Sequence, residues 1–292
     1  MDAAILPLAA ALMLEQVATT TEASPHAALA ETNTDFHLSI SLEAWLPRLT
    51  GDFTDGPAKV DASVVDLHDQ EMTFAGTLNL TRDRLNVSLR GFAFSTDGGG
   101  VATDSFTLGG VTVSSGDDFN SDFSWWSAGA EIAYDFYRPL AQQPTRWSDA
   151  RSDWTAPTNG TDFSVLALVS ADVESVSRSI SDSTTGISSK AIEAFAAIDV
   201  GLAFRLAFDT KDSFPIIRRV DLNTKVAVGV TVPFGDGDYG SATRVEAMLS
   251  AWFCHEGSVY FGYRLIGGSL DGDEVGFDGS LQGLRAGFTL AF

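Results

Sequence analysis

The chain has 292 residues, with 18 Lys and Arg against 39 Asp and Glu and a formal charge of -21, which excludes nucleic acid as a partner because its phosphates would be repelled. Its mean hydropathy is +0.08, and beyond the first residues no apolar run approaches the roughly 20 residues that a spanning helix needs. Any membrane crossing therefore has to be made by strands. A single cysteine, Cys254, rules out an intrachain disulfide and a cysteine-based metal site, and it is expected as a small residue facing an interior.

Residues 1 to 30 carry an apolar core from Ala3 to Leu14 and a small-residue Ala28-Leu29-Ala30 that fits a cleavage site, the pattern of a secretory signal peptide. No Lys or Arg precedes the apolar core, and the span from Leu14 to Ala28 is long. A short retained amphipathic helix is the alternative.

From Asp35 onward the chain alternates. Phe36, Leu38, Ile40, Leu42, Ala44 and Leu46 share one face, and His37, Ser39, Ser41, Glu43 and Trp45 the other, a period of two that predicts a strand over 35–49. A short helix is expected near Ala62 to Asp69. Strands follow at 72–80 and 85–90, joined as a hairpin across Thr81-Arg82-Asp83-Arg84. The Gly-, Asp- and Ser-rich stretch 95–122 reads as a long loop with a small hairpin around Phe106 to Val113. Further strands are expected at 126–136, 163–176, 190–209, 220–232, 245–253 and 259–265, with a long, Pro-containing linker from Arg138 to Thr161. The acidic stretch GGSLDGDEVGFDGS then leads to Ser280–Phe292, where Leu284, Ala286, Phe288, Leu290 and Phe292 oppose Gly283, Arg285, Gly287, Thr289 and Ala291. A hydrophobic edge of this kind is a hazard unless it pairs, and pairing with the first strand closes a barrel.

That last strand resembles the terminal strand of Gram-negative outer-membrane β-barrel proteins, which ends in Phe after alternating apolar residues and serves as an insertion signal. Phe288, Leu290 and Phe292 would carry it here. The resemblance implies an all-β fold, a transmembrane antiparallel up-and-down β-barrel of about ten strands over 31–292, located in the cell outer membrane. It also implies membrane lipid, lipopolysaccharide and the barrel-assembly machinery as partners.

Both faces of the pattern agree with lipid outside and a crowded lumen inside. The apolar faces run for five to nine positions without a charge, as contact with lipid demands, and the opposite faces are rich in Gly, Ala and Ser. The inward set contains Glu43, Arg90, Glu131, Asp135, Asp172, Glu174, Glu193, Asp199, Arg205, Lys225, Arg244, Glu246, Arg264 and Arg285. Two readings remain open: a charged lining that selects small solutes, as in a narrow porin-like channel, or a network of ion pairs that plugs the lumen. The first makes Glu43, Arg90, Glu131, Asp199, Arg205, Lys225, Arg244, Glu246, Arg264 and Arg285 pore-lining. The second makes the protein a closed structural or adhesin-like barrel that binds partners through acidic outer loops.

Arg82, Arg84, Arg138, Arg146, Arg151, Lys211, Arg218 and Arg219 fall at or beside the proposed periplasmic turns, while Gly91 to Tyr137 holds no Lys or Arg. Asp271, Asp273 and Glu274, with Asp278, are weak candidates for a divalent cation and do not match a calcium loop. No cofactor is expected. The protein is not expected to be an enzyme: no Asp-x-His, Ser nucleophile elbow, phosphate-binding Gly loop or zinc motif occurs. Only His68 sits in an outer loop, where Asp271 and Asp273 are its conceivable partners.

Overall fold

The computed structural model describes residues 36–55, 58–82, 84–139, 161–210, 216–254, 256–272 and 276–292. The expected leader and most of the Arg138–Thr161 linker lie outside them. The strands are β1 (His37–Asp55), β2 (Ala58–Asp61), β3 (Thr73–Arg82), β4 (Leu85–Val101), β5 (Phe106–Leu108), β6 (Val111–Val113), β7 (Asp118–Tyr137), β8 (Thr161–Asp182), β9 (Ile187–Asp209), β10 (Arg219–Pro233), β11 (Gly237–Asp238), β12 (Gly240–Trp252), β13 (Gly257–Gly272) and β14 (Gly276–Ala291).

Ten of these form the barrel: β1, β3, β4, β7, β8, β9, β10, β12, β13 and β14, each antiparallel to the next in the chain. The seam runs from Ser39 opposite Ala291 to Thr54 opposite Gly276, so the terminal strand finds its partner in the first one and no long edge is left open. The ten-stranded, closed, up-and-down antiparallel architecture is the one its alternation predicts. The short β5 and β6 make the small hairpin expected near Phe106 to Val113.

Three local expectations are corrected. The stretch Ala62 to Asp66 is a turn and not a helix, held by Asp61, whose carboxylate accepts from the Ser63 backbone N–H at 2.8 Å, and by the Leu67 N–H donating to the Ala62 carbonyl at 2.9 Å. The loop over 95–122 is shorter than expected, because β4 and β7 stay paired from Ser95 opposite Ser124 to Val101 opposite Asp118. Cys254 is exposed in the turn between β12 and β13 and does not face the interior.

At the end of the barrel where β3 turns into β4 and β12 into β13, the short-turn end although the Arg138–Thr161 linker also leaves from it, outward residues are apolar and exposed: Leu38, Ile40, Leu42 and Leu46 on β1, Ile132, Tyr134 and Phe136 on β7, Val200, Leu202, Phe204 and Phe208 on β9. On the first strand this run reaches from Phe36 to Leu46. That is about 33 Å along the strand and roughly 25 Å in height at the ~40° tilt usual for barrels. Phe36, Tyr134, Phe136, Phe208, Phe253 and Phe292, all exposed, ring its lower margin. Toward the other end the outward residues become polar, with Asp118, Asn120, Asp122 and Ser124 on β7 and Ser175, Ser177, Ser179 and Ser181 on β8.

Candidate functional site

The interior changes at nearly the same level as the exterior. In the middle of the barrel, behind the apolar band, five cations and six carboxylates form one connected chain of ion pairs. Arg264 and Arg285 both reach Glu43 and Glu246, with Arg285 donating to Glu246 at 2.9 Å. Glu246 meets Lys225 at 3.3 Å, and Lys225 donates to Glu131 at 3.0 Å. Glu131 accepts from Arg90, whose guanidinium also forks onto both oxygens of Asp172 at 3.1 and 2.7 Å. Arg244 donates to Asp172 at 3.2 Å and lies 3.9 Å from Glu174 and 4.0 Å from Asp199. Every barrel strand except β3 contributes a member.

Neutral donors add to these pairs, although one Asp199 oxygen is left buried without a hydrogen bond among the described residues. Tyr260 donates its hydroxyl to Glu43 at 3.1 Å, Trp125 its indole N–H to Glu174 at 3.1 Å, and Ser170 its hydroxyl to Asp199 at 3.3 Å. Close approach requires glycine beside these groups: a Cβ on Gly129 would fall 2.1 Å from an Asp172 oxygen. Such burial is tolerable only because each charge faces an opposite one; an ion stripped of its partner here keeps its desolvation cost without compensation.

Beyond the ion pairs, toward the longer loops, the lumen is filled by an apolar core. Trp45, Leu49 and Phe53 of β1, Phe94 of β4, Phe123 and Trp125 of β7, Val176 and Ile180 of β8, Phe195 of β9, and Phe277 and Leu281 of β14 are buried together. The turn after β2 adds Val65 and Leu67, and the β5–β6 hairpin Leu108, Val111 and Val113. Ring centroids of Phe53, Phe123 and Phe277 lie 5.4 to 5.7 Å apart in tilted contacts, the offset arrangement aromatic quadrupoles favour. The Arg264 guanidinium sits 5.4 Å over the Trp45 ring and joins the two layers.

On the other side of the ion pairs the lumen opens into a cavity of about 670 Å³ that reaches the short-turn end. Its floor is the charged chain, through Glu43, Arg90, Glu131, Lys225, Glu246, Arg264 and Arg285; its walls are hydroxyls and amides such as Ser41, Thr77, Asn79 and Asn223; its mouth carries Arg84, Arg138, Asp162, Arg219 and Asp221. Arg138 forks onto Asp162. Asp221 is held by Arg219 and by the Trp252 indole at 3.0 Å.

All ten residues named as pore-lining project inward. Nine belong to the ion-pair chain, and Arg205 stands apart on the cavity wall. Asp172 and Glu174 are equally central, and their inward phase placed them in the same set. Sequence reasoning missed the aromatic filling and the Trp125 and Tyr260 donors. Asp273 and Glu274 lie outside the described residues, and Asp271 pairs through its backbone with Gly276. Asp278 is exposed, 4.0 Å from Lys59. His68 lies 3.9 Å from Asp66. Phe288, Leu290 and Phe292 point outward into the apolar band.

A closed ten-stranded barrel with its lower half inverted, apolar outside and charged within, is the class of molecule this geometry defines. No family model matches the chain, and no curated protein matches it in sequence. Among solved structures, it is similar to the outer-membrane protease OmpT of Escherichia coli, with 10% identity over 92% of this chain and 100% of that one, at a TM-score of 0.44. Ail, the attachment invasion locus protein of Yersinia pestis, shares 12% identity over 88% and 99%, at 0.31. An outer-membrane channel of Pseudomonas putida F1 shares 12% over 91% and 100%, also at 0.31. At these TM-scores the likeness carries no weight of its own, and the reading rests on the barrel's geometry.

Proposed function

We propose that the protein is an integral outer-membrane barrel with a closed lumen, non-enzymatic, that acts as a structural or adhesin-like surface protein through its acidic rim. The observation that carries the closed reading is the two-layer filling of the lumen: an ion-pair chain drawn from nine strands, backed by a packed aromatic core. A porin-like passage would require both layers to part, leaving buried charges unpaired at several kcal/mol each. What supports a membrane setting is the uninterrupted apolar belt of roughly 25 Å, the height a bilayer core presents to a barrel.

The rim follows from the same placement. Asp97, Asp118, Asp122, Asp236, Asp238 and Asp278 are exposed at the loop end, opposite the arginines of the turn end. A rim in which acids outnumber the exposed Lys59 and Lys190 attracts cationic partner surfaces and divalent ions bridging lipopolysaccharide. Membrane insertion would depend on the barrel-assembly machinery reading Phe288, Leu290 and Phe292.

Planar-bilayer recording tests the closed lumen: the expected result is no stepwise current at any voltage, and ohmic single-channel steps would restore the porin-like reading. Heat-modifiable migration on a gel tests the membrane barrel. A protein soluble without detergent and indifferent to heating would sink the membrane setting.

A further inference from the structure

The cavity at the short-turn end is also lined by charged side chains outside the ion-pair chain, Arg205 and Asp135 among them. Arg205 of β9 projects into it, and among the described residues its one polar side-chain contact is the Asn223 amide oxygen at 3.2 Å. It makes no ion pair among those residues, whereas its neighbours do: Arg138 has Asp162, and Arg219 has Asp221. Two strands along the same wall, within electrostatic reach of Arg205, one carboxylate oxygen of Asp135 is buried without a hydrogen-bond partner among the described residues. The acids of the floor, Glu131 and Glu246, already face their own cations.

A guanidinium in a protein wall carries a large desolvation cost unless an anion meets it. Its planar fork matches a carboxylate, which accepts two parallel N–H groups. The unmet oxygen of Asp135 asks the opposite of a ligand, a hydroxyl or N–H that donates. Hydroxyl and amide side chains along the wall add alternating donors and acceptors. A space of about 670 Å³ lies within the roughly 300–1,000 Å³ of small-molecule sites and exceeds what a single inorganic ion fills. Within a chain of charge -21, this end is the one where arginines gather, so an organic anion meets least repulsion here.

We propose that this cavity binds a small polyhydroxylated organic anion, of the sugar-acid class, entering from the short-turn end with its carboxylate on Arg205 and a hydroxyl donated to Asp135. The site goes beyond the closed-lumen reading and is independent of it, since ligand can enter and leave by the same mouth. Bilayer current tests the one, and equilibrium binding the other.

Calorimetry on the full chain in detergent, with gluconate as the probe and sorbitol as its uncharged counterpart, decides the matter. Saturable gluconate binding, clearly tighter than sorbitol and weakened about tenfold or more by Arg205→Gln, is the expected result. Equal affinity for the two probes, no saturable gluconate binding, or an unchanged affinity in R205Q would overturn the site. Should R205Q fail to give a heat-modifiable barrel, Ala203→Cys in a Cys254→Ser background, which removes the exposed native thiol, supplies a second readout. This position lines the cavity two residues from Arg205 on the same face, and gluconate is expected to slow its labelling by a charged methanethiosulfonate while sorbitol does not. Labelling at the same rate with and without gluconate would equally overturn the site.

Discussion

Along β7 one strand meets two environments in sequence. From Trp126 to Phe136 its outward residues are Trp126, Ala128, Ala130, Ile132, Tyr134 and Phe136, and its inward ones include Ser127, Gly129, Glu131 and Asp135; from Asp118 to Trp125 the outward residues are Asp118, Asn120, Asp122 and Ser124, and the inward ones Phe119, Phe123 and Trp125. β14 reverses in the same way, between Gln282 and Leu284 on its outer face and between Leu281 and Arg285 on its inner one. Across the change of face the pleat does not slip; the register shift of β7 against β8 lies further down, between Asp135 and Tyr137. Only the identity of the solvent changes. Where the outside is apolar, the inside holds charge because the cations and carboxylates of the ion-pair chain meet one another. Where the outside is polar, the inside packs like the core of an ordinary soluble barrel.

The largest expected effect breaks the lower half. Asp172→Ala leaves the Arg90 fork without its bidentate acceptor and Arg244 without its shortest ion pair, and should cost about 3–5 kcal/mol, read as a shift in the urea midpoint of the folded barrel in detergent. A loss below about 1 kcal/mol would mean that water reaches these groups and the lumen is more open than its ion pairs suggest. The matching change in the upper half is Phe123→Ala. Phe123 is 1% exposed and touches the rings of Phe53, Phe94 and Phe277. Its removal should cost about 3–4 kcal/mol through lost burial and the cavity left behind. Because this half stands outside the apolar band, the damage should show first as faster proteolysis at the loop end, with the band still protected.

The outer faces sharpen the comparison further. Val200 is 56% exposed near the middle of the apolar run of β9, and Val200→Arg should cost about 2–4 kcal/mol when the barrel is folded in lipid. Ser124→Arg, exposed on β7 just past the change of face, should stay within about 0.5 kcal/mol. Equal effects at the two positions would remove the argument for a bilayer around the lower half.

Much of this was legible in the sequence because a period of two survives almost everywhere. Glu43, Arg90, Glu131 and Arg285 declared their inward phase by alternating with uncharged apolar runs, and that phase was enough to gather the ion-pair chain without any contact information. The aromatic filling was written in the same phase: Trp45, Leu49 and Phe53 continue from Glu43, and Phe92 and Phe94 continue from Arg90. It stayed hidden because the outward face turns polar at the same level, so that local alternation weakens or changes sign, as it does over Ser95–Asp122. A pattern reader that carries the phase of each strand past the change recovers it. The extent of the cavity and the isolation of Arg205 were not legible, since both depend on which side chains meet across the lumen.

The smallest expected effect lies at the tip of the upper half, where β8 turns into β9. Asp182 accepts from the backbone N–H groups of Thr184 and Thr185 at 2.8 and 3.1 Å and from the Thr185 hydroxyl at 2.7 Å, and these bonds to the charged form hold its carboxyl below the usual range. A depressed carboxyl stabilises the turn above its unfolded pKa, and that contribution fades as pH falls through the folded value. Amide exchange at Thr184 and Thr185, corrected for intrinsic rates, should therefore lose protection as the solution is acidified below the ordinary carboxylate range. Asp182→Asn should flatten that dependence while leaving exchange in the apolar band untouched. If protection in the band fell together with the turn, the two halves would be one cooperative unit, and the change of face along each strand would mark a change of surroundings without a boundary in stability.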